Sequence, residues 1–252
     1  MQPEVEYVGL IAEAWDALRG DTSDWDDRHF FLDLIRERGE PVLDVGCGTG
    51  RLLLDFLALG IDIDGVDNSA EMLALCRRKA GRMGLAAAVH LQSMNRLDLP
   101  RRYRTILVPS SSFQLVLERD DAGRALGAFH RHLMPGGTLA MPIIVLTEAY
   151  DRAWTAEAAL EDGSTVRRTA REVFDPATRN ESTDDLYEIF RDGQLVRSDR
   201  HVRDRATLAW TPQELRDALV AHGFGDLEFL SGFTRRPHEP ADEVFTVLAR
   251  RP

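Results

Sequence analysis

The sequence predicts an α/β chain: a doubly wound, mainly parallel sheet that carries an inserted antiparallel β layer. Between residues 41 and 146, short apolar runs alternate with helical segments, the rhythm of parallel strands joined by crossover helices. The first of these strands runs straight into a glycine cluster, Gly46-Cys47-Gly48-Thr49-Gly50, before a helix begins. After residue 147 the rhythm changes to strand-like runs with a hairpin turn at Asp192-Gly193, then returns to one helix and two strands.

Each element has its own signal. Tyr7, Leu10, Ile11, Ala14, Trp15 and Leu18 recur at helical spacing until Gly20 breaks the run. A second helix starts near Ser23 or Asp24, presents Phe30, Phe31, Leu34 and Ile35 on one face, and stops around Gly39 with Pro41 beyond it. Residues 41–45 make the first strand and 51–58 the helix after the glycine cluster. The second strand, 61–66, ends at Asp67, and Ser69 caps a helix to about Arg82 that turns Met72, Leu73 and Leu75 inward. The third and fourth strands are 87–91 and 103–108, the latter followed by Pro109-Ser110-Ser111-Ser112. A helix from Asp120 or Asp121 ends at Pro135-Gly136-Gly137 and leads into a fifth strand, 138–146. Strands 165–174, 186–191 and 194–202 form the inserted layer. Thr211-Pro212-Gln213-Glu214 is a capping box with proline at the first helical position, opening a helix to about His222. Strands 225–230 and 243–249 close the chain.

Composition narrows the function. With 252 residues, 44 % hydrophobic and 29 % charged, the chain can bury a full core without staples. Its 42 acids outnumber 31 bases, and a net charge of −11 repels phosphate backbones, so no nucleic-acid partner is expected. Two cysteines, Cys47 and Cys76, provide neither a disulfide framework nor a zinc pattern, and no metal is expected. No apolar run reaches membrane-spanning length, and Glu4, Glu6, Glu13 and Asp16 are wrong for a signal peptide, so a cytoplasmic address is expected.

The glycine cluster is the most informative stretch. A glycine-rich turn between strand and helix lets backbone amides approach a ligand at the carboxyl end of a sheet. A dinucleotide needs G-x-G-x-x-G, but here the spacing is G-x-G-x-G and Arg51 occupies the third glycine's place. Asp44, two residues before the first glycine, would repel a pyrophosphate and attract a cation such as an ammonium group. A nucleotide-dependent oxidoreductase on a similar sheet is the alternative that these two residues oppose. A catalytically silent cofactor-binding module is the other.

VLDVGCGTG (42–50), with Asp67 seventeen residues after Gly50, resembles the cofactor signature of class I S-adenosylmethionine-dependent methyltransferases. The resemblance continues through GVDNSAEML (65–73), LQSMNRLDLP (91–100) and HLMPGGTL (132–139), and through the tail segments 211–224 and 245–252. It implies a seven-stranded Rossmann-like sheet of order 3-2-1-4-5-7-6 with the last strand antiparallel. The corresponding division is an amino-terminal helical lid (1–40), a cofactor-binding core (41–146), an inserted antiparallel layer on the substrate side (147–208), and a carboxy-terminal segment completing the sheet (209–252).

The resemblance also implies roles. Gly46, Gly48 and Gly50 leave room for the methionine and ribose portions of S-adenosyl-L-methionine, with Cys47 inside the same turn. Asp44 orients the turn and faces the ammonium group. Asp67, taken as an exposed carboxylate at a strand end, accepts both ribose hydroxyls. Asn68 and Met72 lie against the adenine, as do residues of the Ser93-Met94-Asn95 segment, and Pro109 follows the fourth strand. Where many relatives have an acid before Met94 this chain has Ser93, a weaker acceptor, which implies a modest cofactor affinity. The product is S-adenosyl-L-homocysteine.

The acceptor is less legible, because the cofactor drives the displacement and no fixed catalytic dyad is required. Val108-Pro109-Ser110-Ser111-Ser112-Phe113 lacks the N-P-P-Y pattern of nucleobase amino-methylases, and the paired-glutamate loop of protein arginine methylases is absent. The remaining group methylates a nitrogen or oxygen of small molecules, including natural-product intermediates. Candidate pocket residues are Tyr7, Trp15, Phe113, Gln114, Tyr187 and Arg200. Tyr7 and Trp15 also suit plain helix packing, and the RSDRHVRDR run suits a solvated edge strand. If a general base is used, His201 or Glu188 is the first choice. The expected partner is a small-molecule methyl acceptor, and the expected state a monomer or homodimer.

Overall fold

Seven strands organise the larger of two units in this computed structural model, which describes residues 7–252. The first six residues of the expected 1–40 segment, Glu4 and Glu6 among them, lie outside the described residues. The larger unit comprises Ser23–Val145 and Trp210–Pro252. Its strands are β1 (Val42–Val45), β2 (Ile63–Asp67), β3 (Ala88–Leu91), β4 (Tyr103–Leu107), β5 (Leu133–Ile144), β10 (Gly225–Ser231) and β11 (Val244–Arg250). They lie in the order β3-β2-β1-β4-β5-β11-β10; β1 to β5 are mutually parallel, and β11 runs antiparallel to both β5 and β10. This is the sheet that the resemblance implies.

Every residue of β1 and β2 is buried, as expected of central parallel strands covered on both faces. The covering helices are α2 (Asp26–Arg38), α3 (Arg51–Ala58), α4 (Ala70–Arg82), α5 (Arg119–His132) and α6 (Pro212–Ala221). Phe30 and Phe31 of α2, Leu52, Leu53 and Phe56 of α3, and Leu73 and Cys76 of α4 meet Val42, Ile63 and Leu107 in one core. The Ser69 hydroxyl accepts the Met72 N–H at 3.1 Å at the start of α4, and the Thr211–Glu214 capping box forms in both directions. Among the described residues no helix is long and apolar enough to cross a membrane.

One boundary differs from the sequence reading. α5 stops at His132 and β5 begins at once, so Pro135-Gly136-Gly137 lies within the strand. The β4–β5 register shifts between Tyr103/Leu133 and Thr105/Thr138, a bulge that takes up the extra residues. It needs glycine: Gly136 has φ 73°, and a Cβ on Gly137 would lie 2.9 Å from the Met134 carbonyl.

The smaller unit contains the described residues up to Thr22 and Leu146–Ala209. Strands β6 (Tyr150–Ala159), β7 (Thr165–Asp175), β8 (Asn180–Arg191) and β9 (Gln194–Leu208) form an antiparallel sheet in that order. β6 was not expected; YDRAWTAEAA has few β-branched residues, and its pairing with β7 over all ten residues creates it. β8 begins well before residue 186 because the polar stretch from Asn180 pairs on both sides. Asp192 (φ 49°) and Gly193 (φ 74°) make the expected hairpin turn. The helix α1 (Leu10–Arg19) lays Leu10, Ile11 and Ala14 on Val166, Tyr187 and Ile189 of this sheet. The segment read as one helical lid is thus divided, α1 belonging to the smaller unit and α2 to the larger.

Candidate functional site

Helices cover both faces of the sheet, so its open ground is beyond the carboxyl ends of the parallel strands, where β1 lies between β2 and β4 and the strand order reverses. The chain leaves β1 there through the glycine turn. The Gly46 and Cys47 amides donate to the Val66 carbonyl at 2.8 and 3.0 Å, and Gly46, Gly48 and Gly50 all have positive φ.

The three glycines are not equivalent. A Cβ on Gly50 would fall 2.7 Å from Cys76 Sγ and 2.8 Å from Leu54 Cγ, so its hydrogen lets α3 pack against α4. A Cβ on Gly46 would lie 3.0 Å from Ser112 Oγ, in the loop after β4. At Gly48 the nearest atom would be Met72 Cε at 3.6 Å, an ordinary contact distance. The space lies at Gly48; the other two admit the protein itself.

Asp67 is not the exposed carboxylate that the sequence reading assumed. It is 8 % accessible; Oδ2 accepts the Gly48 N–H at 2.9 Å and Oδ1 the Ser69 N–H at 2.8 Å. The strand end therefore braces the turn, and burial outweighs these hydrogen bonds to hold the carboxyl above its ordinary value. The Asn68 amide is a third backbone donor to this carboxylate, which leaves it acceptor capacity for one more.

Asp44 is 1 % accessible at the heart of β1. Its Oδ1 is buried with no hydrogen-bond partner in the structure, while the Leu53 amide donates to the carboxylate. Burial pushes this carboxyl up to about 7; Arg51 opposes the rise, and Asp67 and Asp27 add to it. Arg51 itself begins α3 and forms a two-point ion pair with Asp27 of α2, Nη1 lying 3.0 Å from Oδ1 and Nη2 contacting Oδ2. Its guanidinium also lies 5.0 Å from the Trp25 ring centroid. Burial drives the Cys47 thiol far above its ordinary range, so it stays protonated.

The remaining core candidates divide. Asn68 is half-buried after β2, and Met72 is buried in the first turn of α4. Ser93, Met94 and Asn95 are half-buried around a short 3₁₀ turn; Asn95 Nδ2 donates to Asp121 at 2.7 Å, leaving a buried Oδ1 without a partner. Pro109 is buried, and Ser110 (φ 53°) and Ser111 (φ 56°) hold consecutive left-handed conformations that non-glycine residues adopt at a cost. Phe113 is fully buried. Gln114 is committed to the scaffold: it donates to the Ile144 carbonyl at 3.1 Å and accepts the Ile144 N–H at 2.7 Å.

Sequence reasoning missed Trp210. Its ring packs 5.4 Å from Phe113 on one partner and 3.7 Å from the Arg119 guanidinium on another, and its indole N–H is buried without an acceptor. A tryptophan one residue before a capping box carries no signal of its own.

In the smaller unit, Tyr7 and Trp15 stack edge to face at 4.7 Å and pack against the α1 cluster. β8 alternates, with Thr183, Asp185, Tyr187 and Ile189 buried and Glu188 facing the other way. Burial raises the Tyr187 hydroxyl to about 12, Arg168 opposing and Asp185 adding to it. Asp185, wholly buried, was also missed; it accepts from Arg168 at 2.7 and 2.9 Å and from Arg203 at 3.2 Å. His201 is paired in register with Asp185, and its Nε2 lies 3.1 Å from Asp199 Oδ2 but off the line of a hydrogen bond. Arg200 sits on the exposed side of the edge strand β9, bound to Asp184 at 2.5 and 2.8 Å.

Residues 42–137 match the family model described as a methyltransferase domain. Glycine/sarcosine N-methyltransferase of Halorhodospira halochloris is 33 % identical over 145 residues, which are 54 % of this chain and 52 % of that protein. The chain thus spans about half the length of that relative. A longer match, 26 % identical over 91 % of this chain and 89 % of the relative, is to dTDP-3-amino-3,6-dideoxy-alpha-D-glucopyranose N,N-dimethyltransferase of Streptomyces fradiae. Among solved structures, the sugar N-methyltransferase KedS8 from a Streptoalloteichus species superposes with a TM-score of 0.74 at 25 % identity, covering 93 % of this chain and 91 % of that one.

Proposed function

We propose that this chain is a class I S-adenosylmethionine-dependent methyltransferase and that it methylates an amine nitrogen of a small polar acceptor, an amino sugar in the first instance. The observation that carries the cofactor assignment to residues is the buried, unpartnered oxygen of Asp44 beside the glycine turn. A buried carboxylate with one oxygen lacking a partner fits a cationic ligand group and opposes a pyrophosphate. The remaining acceptor capacity of Asp67 fits a ligand hydroxyl, and the clearance at Gly48 fits close approach of a ligand. The amine class rests on the relatives named above, which act on amino groups of a sugar nucleotide or of glycine.

When bound, S-adenosylmethionine supplies an electrophilic methyl group on a sulfonium. The chain's own work is to position and to exclude water. Asp44 would pair with the ammonium group and Asp67 with the ribose hydroxyls. Met72 and the Ser93-Met94-Asn95 turn would flank the adenine, with Asn68 beside them. Orientation of this kind is worth roughly 7–11 kcal/mol at its upper end. A neutral amine already offers its lone pair, whereas an ammonium acceptor must first lose a proton. His201 is our choice of proton acceptor over Glu188, because it lies on the inner face with Tyr187 and Asp185 and has Asp199 beside it.

Two measurements test the reading. Saturating S-adenosylhomocysteine should raise the melting temperature by about 5–10 °C while NAD does not. Methyl-labelled cofactor should then deliver label to a dTDP-amino sugar. Stabilisation by NAD alone would return the reading to an oxidoreductase. Cofactor binding with label passing to hydroxyl acceptors and never to amines would overturn the nitrogen assignment.

A further inference from the structure

The opposite end of the sheet holds a recess of about 540 Å³. It lies between the segment that precedes β4 and the end of α5 that precedes β5, hence at the amino ends of the parallel strands. The glycine turn follows the carboxyl end of β1, so this recess belongs to a different part of the larger unit.

Its lining is unusual for a chain of net charge −11: Arg96, Arg101, Arg102 and Arg131 converge on it, with Asp98 the acid among the lining residues. The neighbouring acids are largely used. Arg101 is held by Asp62 and Asp64, and Tyr103 also donates to Asp64 at 2.8 Å. Asp121, in whose field Arg96 lies, binds Arg124 and Asn95. Arg102 and Arg131 are exposed and form no ion pair among the described residues. Leu97 and Leu99 give the recess a buried apolar floor. The His132 ring is locked beneath it, Nδ1 at 2.8 Å from the Ala128 carbonyl and Nε2 accepting the Leu99 N–H at 3.0 Å. Crowded guanidinium groups repel one another, and a multivalent anion relieves that repulsion while meeting their forked N–H donors.

We propose that this recess is a binding site for a small phosphate-bearing anion, distinct from the methyl-transfer site and engaged through Arg102 and Arg131. A pocket of this size accommodates a molecule as large as a mononucleotide. The site does not depend on the identity of the methyl acceptor, or on the cofactor assignment.

The test uses inorganic pyrophosphate as the probe, titrated calorimetrically into the whole protein with and without saturating S-adenosylhomocysteine, at constant ionic strength. Wild type should bind pyrophosphate in the millimolar range or tighter whether or not the homocysteine compound is present. The Arg102→Gln/Arg131→Gln double variant should bind it at least about tenfold more weakly, the loss expected when charge-assisted contacts go. An unchanged circular dichroism spectrum and unliganded melting temperature will show that the variant is folded. Should it fail to fold, the single variants Arg102→Gln and Arg131→Gln carry the same comparison. Absence of millimolar binding by wild type, equal binding by folded variants, or loss of binding when S-adenosylhomocysteine is present would each overturn the proposal.

Discussion

Replacing Asp44 by asparagine tests the electrostatics of the glycine turn in the free protein and in the complex. Burial lifts this carboxyl from 3.8 to about 7, with Arg51 opposing the rise. The unfolded chain ionises the group at its ordinary value, so between about pH 4 and about pH 7 unfolding releases a proton that the folded state keeps. The stabilising contribution is full below the unfolded value and is lost as pH rises through the folded one, a total of about 4 kcal/mol. Above that range the unliganded fold holds a buried anion with an unpartnered oxygen. Asp44→Asn removes this penalty but places an unpaired amide at the same spot, an offset of about 1–3 kcal/mol. At pH 8 the free variant should therefore exceed wild type by about 1–3 kcal/mol, which is roughly 2–12 °C in Tm for a chain of this length. The advantage should shrink and then reverse as the pH approaches about 4, where only the cost of the unpaired amide, about 1–3 kcal/mol, remains. Melting curves of both proteins across this range, with and without S-adenosylhomocysteine, provide the measurement. Wild-type affinity for the compound should rise through pH 7, whereas the variant's should be about 10–100-fold weaker and flat, having lost a charge-assisted partner. A variant destabilised by the same amount at every pH would refute the reasoning, because that pattern belongs to a carboxylate already ionised and paired.

Other substitutions separate folding from binding at the same turn. Gly48→Ala meets its nearest atom at 3.6 Å and should cost about 1–2 kcal/mol from its positive φ while sharply weakening S-adenosylhomocysteine binding in calorimetry. Gly50→Ala drives a Cβ to 2.7 Å from Cys76 Sγ and should lose about 2–5 kcal/mol in urea unfolding. Arg51→Met strands the buried Asp27 and should cost about 3–5 kcal/mol, much of it restored by adding Asp27→Asn; if the second change made matters worse, the ion pair would not be the cause. Asp67→Asn presents an amide to some of the backbone donors Gly48, Ser69 and Asn68, and should lower stability by about 1–3 kcal/mol, read by the same unfolding curves.

The strands and helices of the larger unit were legible because their signals are local. VLDV and IDGVD are short apolar runs ended by glycine or a cap, and the Ser69 and Thr211 caps identify themselves by residue type and spacing. The glycine turn, with Asp44 before it and Asp67 at the end of the next strand, was legible for the same reason. β6 was not, since YDRAWTAEAA becomes a strand by pairing with β7 rather than by its own preference.

Tertiary packing decided what each site residue is free to do. From sequence, Gly46, Gly48 and Gly50 looked alike; only the packing of α3, α4 and the loop after β4 reserves two of them for protein atoms. Asp67 read as an exposed acid and is instead buried under backbone amide donors, while Gln114 read as a pocket residue and spends both ends on Ile144. Asp185 and Trp210 announced nothing, because the arginines around the first and the Phe113 and Arg119 groups around the second come from distant parts of the chain. Sequence by itself determined the fold class and the glycine turn, which depend on neighbours within a few residues. The ionisation of Asp44, the commitments of Asp67 and Gln114, and the cluster of arginines beneath the sheet depend on burial and on groups brought together by folding, and those the tertiary structure alone decided.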